Sequence, residues 1–72
     1  MNIYCITFGQ IHFLRDCWVE IKAWDEPSAR RLAFKVLGDK WAFIYPKREF
    51  DFTHFPNGRV GRVLEVSSYE TD

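Results

Sequence analysis

Cys5, His12, Cys17 and His54 are the side chains of this chain best suited to act as nucleophiles, general bases or soft metal ligands. A thiolate beside an imidazole makes an activated nucleophile, and four such groups converging on one point make a tetrahedral zinc site. Their spacing supports neither. No two of them form a CxxC or HxxxH pair, the elements from which such sites are assembled, and thiols in strands behave far more often as small hydrophobes. The carboxylates are scattered too. Asp16 stands alone, and Glu49 and Asp51 solvate a probable loop, whereas glycosidase chemistry needs two acids facing each other across a cleft. No GxSxG, Walker-type glycine loop, GxGxxG or HExxH occurs. The expectation is a protein that is not an enzyme, with no catalytic residue, no metal and no cofactor.

The charged constellation that stands out is basic. Arg30, Arg31, Lys35, Lys40, Lys47 and Arg48 follow one another with Asp39 as the main offset, interleaved with Phe34, Trp41 and Tyr45. Cations among aromatics meet phosphates and stack on bases; they also make an ordinary solvated helix face above a core aromatic strand. The whole chain balances ten basic against ten acidic residues, with a pI near 6.7. That excludes coating of nucleic acid by bulk charge, which takes a pI above about 9, and leaves only a local patch.

The elements that must position these groups can be read from periodicity. Residues 2–8 alternate Tyr4, Ile6 and Phe8 against Ile3, Cys5 and Thr7, a strand. Residues 17–24 alternate Cys17, Val19, Ile21 and Ala23 against Trp18, Glu20, Lys22 and Trp24, so the second set faces outward. An antiparallel hairpin that superposes the apolar faces sets Ile6 opposite Val19, Tyr4 opposite Ile21 and Cys5 opposite Glu20. Cys5 and Cys17 then lie on opposite sides of the sheet, beyond the reach of a disulfide. The loop 9–16 between the strands either carries function or folds Ile11 and Leu14 over one end of the core.

Asp25 is placed to cap a helix, with Glu26 and Pro27 in its first turn and Gly38 as its stop. Ala29, Leu32, Ala33, Val36 and Leu37 make its apolar stripe, and the opposite face carries Arg30, Arg31, Lys35 and Phe34. Phe34 among cations stacks on Arg30, covers a core edge or meets a partner. Residues 40–45 form a third strand with Trp41, Phe43 and Tyr45 on one side and Ala42 and Ile44 on the other; apolar on both sides, it is expected to be central or covered. Residues 47–55 read either as a strand or as a packed loop between Pro46 and Pro56. Asn57-Gly58 signals a turn, and residues 60–66 a last strand.

At 72 residues the chain is one domain, and its density must come from aromatics: it is 47% hydrophobic, with seven Phe, three Trp and three Tyr. The expected fold is α+β, in the order β-β-α-β-β: an antiparallel sheet with one helix packed across it, spanning residues 1–66 and ending in a polar tail 67–72. The expected core is Tyr4, Ile6, Phe8, Val19, Ile21, Leu32, Ala33, Val36, Leu37, Phe43 and either Val63 or Leu64. No charged and apolar leader opens the sequence, and no run approaches the roughly 18 apolar residues of a membrane span, so reduced cysteines and no membrane are expected.

In order along the chain, ITFGQ with His12, the strand CWVEIKAWDE, the helix SARRLAFKVLG and the aromatic KWAFIYP resemble a group of short phage-encoded proteins of unassigned function, over roughly residues 3–46. Those proteins open with a TFG-type strand and continue with a helix and a WAF-type strand. The resemblance implies a small protein acting in the host cytoplasm against a host defence component, anti-CRISPR-like or otherwise anti-defence, by occupying a surface. It carries no catalytic residue. A small nucleotide- or nucleic-acid-binding module, including a sponge for a defence signalling nucleotide, is the alternative. Candidate partner-contact residues are Gln10, His12, Arg15 and Asp16 on the loop and Arg30, Arg31, Phe34 and Lys35 on the helix. Trp18 and Trp24 on the outer sheet face are a candidate homodimer patch, unless residues 50–55 fold over them.

Overall fold

A computed structural model describes residues 1–9 and 12–69. Strands β1 (Asn2–Phe8) and β2 (Cys17–Ala23), helix α1 (Glu26–Leu37) and strand β3 (Trp41–Pro46) are followed by two short strand segments, β4 (Gly58–Arg59) and β5 (Leu64–Glu65). The fold is α+β, with the sheet in the order β3-β1-β2-β4 and β5 also paired to β2. The hairpin has the register that burial selects, with Ile6 opposite Val19, Tyr4 opposite Ile21 and Cys5 opposite Glu20. The helix begins where Asp25 accepts a hydrogen bond from the Ser28 N–H at 2.9 Å, an interaction that holds this carboxyl below its ordinary range. It ends at Gly38, whose φ of 66° suits a residue without a Cβ.

Tyr4, Ile6, Phe8, Val19, Ile21, Leu32, Ala33 and Leu64 are buried together between the sheet and α1, with Leu37 packed against them. Three expectations fail. Val36 remains 41% exposed. Phe43 is 59% exposed, because β3 is an edge strand and not a central one. The sheet is mostly antiparallel, as expected, with the short β4 and β5 added parallel to β2. The single last strand expected over 60–66 is interrupted at Gly61, which has a φ of 68°.

Strand directions decide what covers the second face. β2 and β3 are both antiparallel to β1 and therefore point the same way, and β4 follows β2. The chain leaves β3 at one edge and must re-enter at the opposite edge pointing in the same direction, three inter-strand gaps of about 4.8 Å away. With α1 on the inner face, the crossing runs over the outer one. The segment 47–57 spans it easily at roughly 3.3 Å per extended residue, and its slack is wound into 3-10 turns at Lys47–Glu49 and Phe52–His54. Asp51 caps the second turn by accepting from the Thr53 N–H and Oγ1 at 3.0 and 2.6 Å. The Asn57 N–H donates to the Asp16 carbonyl at 3.1 Å and fastens the far end of this strap.

The strap therefore makes a second core on the face expected to be solvated: Cys5, Trp18 and Phe50 are buried together with Phe55 against them. Glu20, also buried, reaches Lys47 of the strap at 3.1 Å. Loss of Lys47 would leave that carboxylate uncompensated, the costlier half of such a pair to remove. At the end of the chain, Val66 is buried and Tyr69 packs on the inner core, so the tail expected from residue 67 is packed as far as residue 69. No helix among the described residues is long and apolar enough to cross a membrane. Replacing Phe50 by Ala should cost about 3–5 kcal/mol in chemical denaturation and shift tryptophan emission to the red as Trp18 becomes wet; a cost below about 1 kcal/mol would contradict the strap's structural role.

Candidate functional site

The expected contact residues that the structure describes fall on four separate surfaces. His12 is stacked between the rings of Phe8 and Phe13, at 4.7 and 4.8 Å, and its Nδ1 accepts the Leu14 N–H at 3.0 Å. It is a structural plug at the end of the hairpin. Arg15 and Asp16 face the strap instead, around a depression shared with Tyr45, Glu49, Asp51 and His54. Gln10 and Ile11, and with them the lid expected from Ile11, lie outside the described residues.

On the helix, residues four apart share a flank, and this splits the basic face in two. Arg31 donates to the Ser28 Oγ at 3.2 Å, and Lys35 lies 5.8 Å over the Tyr69 ring, both on the side of the chain's end. Arg30 and Phe34 turn the other way, towards β3. Arg30 pairs with Glu26 at 3.2 Å and stands 5.7 Å over the Trp41 ring. Phe34 meets Trp41 edge-on at 5.0 Å and remains 54% exposed. Of the roles open to Phe34, covering a core edge is thus met, with half its ring still in water.

Trp41 reaches the helix because of a register shift. Phe8 is paired with Trp41 and Thr7 with Phe43, so β3 bulges at Ala42. The bulge sends Trp41 and Ile44 to the inner core and Phe43 and Tyr45 to the outer side, where Tyr45 lies 5.9 Å from Phe50. The three aromatics expected on one side are therefore divided between two. The Trp41 Nε1 is buried without an acceptor among the described residues, so ring packing and the Arg30 contact hold this side chain, with no hydrogen bond.

Outer-face exposure also differs from expectation. Trp18 is buried at 8% exposure under Phe50 and Phe52, which removes it from a dimer patch; Trp24 is half exposed beyond the end of β2. The surface that sequence reasoning missed is the free edge of β3, flanked on the helix side by Phe34 and Arg30 and on the strap side by Phe43 and Tyr45. The signal is present in Trp41–Tyr45, which has no charge, but that composition points equally to a central or a covered strand.

Cys5 and Cys17 are both free thiols. Burial and the neighbouring Glu20 carboxylate push the Cys5 thiol up to about 11, with Lys47 opposing, the reverse of what a nucleophile or metal ligand needs. Among the described residues, no group of three or more His, Cys, Asp or Glu side chains is arranged to hold a metal. Comparison with family models, with curated proteins and with solved structures returned no match.

The Cys5 shift has a measurable consequence. The unfolded chain releases this proton near pH 9.0 and the folded one near 11. Its contribution to stability is thus complete below pH 9 and is lost as pH rises through 11, at up to about 1.4 kcal/mol per pH unit. Subtracting the stability of Cys5→Ala from that of the unsubstituted protein should give a difference that falls across this window. A difference independent of pH would contradict the burial of the thiol.

Proposed function

We propose that this chain is a non-enzymatic binding protein that occupies a surface of a partner protein through the free edge of β3 and the side chains beside it. The observation that carries this reading is an uncharged edge strand with Phe34 and Phe43 more than half exposed on its two sides, at 54% and 59%. Edge strands are ordinarily blunted by charges, prolines or bulges; β3 has only its bulge at Ala42 and its terminal Pro46. A partner strand laid along the edge would gain main-chain hydrogen bonds, and the flanking aromatics would supply anchors. The resemblance to phage-encoded proteins supports a host defence protein as the partner, met in the host cytoplasm and inhibited by occlusion, in the manner of an anti-CRISPR.

The nucleotide-binding alternative is less well supported. Trp41, a natural platform for a base, already has Arg30 over its face and Phe34 against it, and Lys35 is engaged with Tyr69. A second copy of this chain is also a possible occupant of the same edge, and titration separates it from a foreign partner.

Capture from host lysate, identification by mass spectrometry and titration of the captured protein provide the test. Phe43→Lys should weaken binding by about 30-fold, the effect of a modest hot spot, while Arg31→Glu with Lys35→Glu on the far flank should change it little. If that double variant abolishes binding and Phe43→Lys is silent, the far helix flank is the site and this reading is wrong. A saturable tryptophan response to a nucleotide that weakens steeply with salt would instead favour the alternative.

A further inference from the structure

A second surface lies at the opposite end of the helix from its cap. Where the hairpin loop, the last turn of α1 and the link between β4 and β5 converge, they enclose a groove of about 450 Å³. That lies within the roughly 300–1,000 Å³ of small-molecule sites. Its floor is core: Phe8, Val19 and Leu64, each less than a tenth exposed. Leu14, Leu37 and Val60 line its sides, while Val36 and Phe13 stand at the mouth, 41% and 82% exposed. Val36 belongs to the apolar stripe of the helix, so the groove is where that stripe continues past the material that should cover it.

The polar lining is one-sided. Lys40, Arg62 and His12 contribute, and among the described residues no carboxylate does. Neither Lys40 nor Arg62 is in an ion pair among the described residues, a property they share with Arg15, Lys22, Arg31, Lys35 and Arg59. Asp39, beside Lys40 in the chain, is not in the lining. An apolar trough lined on one side by cations that have no ion-pair partner among the described residues is complementary to a molecule with an apolar body and one negative end.

We propose that this groove binds an amphipathic monoanion, an unbranched apolar chain ending in a carboxylate, with the chain against Phe8, Leu14 and Leu37 and the carboxylate at Lys40 and Arg62. The site shares no residue with the β3 edge, so it stands or falls independently of the protein-binding reading.

Decanoate, kept below its micellar range, is the probe, with acetate and decyltrimethylammonium as controls, followed by amide NMR of the whole chain. Decanoate should give saturable shifts at Leu14, Val36, Leu37 and Gly61. Acetate should give none, and decyltrimethylammonium should bind at least tenfold more weakly. Lys40→Ala with Arg62→Ala, both exposed positions, should weaken decanoate about tenfold and leave decyltrimethylammonium unchanged. Equal binding of anion and cation, an unaffected double variant, or shifts absent or centred elsewhere would each overturn the proposal.

Discussion

The structure depends on one topological constraint: its two edge strands point the same way. Because β3 and β4 share a direction and lie at opposite margins of the sheet, the chain between them must traverse a sheet face from corner to corner. The helix holds the inner face, so the strap takes the outer one. A small domain that would otherwise bury one face of its sheet buries both, which matters in a chain of 72 residues. Four of the seven phenylalanines find their use in this arrangement: Phe8 fills the inner core, Phe50 and Phe55 fill the outer one, and Phe52 caps Trp18.

The same constraint fixes the chemistry of the outer face. Cys5 and Glu20, neighbours across the hairpin, would be wet in a two-layer fold. Under the strap, the thiol holds its proton strongly and the carboxylate needs Lys47. What the strap does not cover is the far side of β3. Its passage leaves Phe43 largely outside the second core, while the bulge at Ala42 turns Trp41 inward to meet Phe34 and Arg30. The aromatic edge proposed as the binding surface is therefore the margin left over when the two faces have been closed.

Much of the fold was legible in the sequence. Alternation in residues 2–8 and 17–24 set the hairpin register, because a one-residue slip would expose Ile6 and Val19 together. Asp25, Pro27 and Gly38 marked the helix because their chemistry is local. The failures were non-local. Trp41, Phe43 and Tyr45 alternate like one face of a strand, and a single bulged residue, invisible to periodicity, splits them. The uncharged stretch Ala42–Tyr45 looks the same whether it is central or at an edge, and only pairing distinguishes the two. Trp18 fits either a patch or a covered residue by sequence, and the strap decides it. Of the candidate contacts, Phe34 and Arg30 were legible together with Arg31 and Lys35 as the helix face opposite the apolar stripe. Their neighbours Phe43 and Tyr45 were not, since it takes the sheet order to bring them to the same margin.

Amide hydrogen exchange on the isolated chain tests the central claim most directly, that both sheet faces are closed and β3 is the open edge. In an edge strand, only the amides directed at its one neighbour are bonded. Cys5, Trp18 and Glu20 should therefore be protected, with β3 amides alternating between slow towards β1 and fast towards solvent, at every protein concentration. Uniform protection along β3, or rapid exchange at Trp18 and Glu20, would contradict the account.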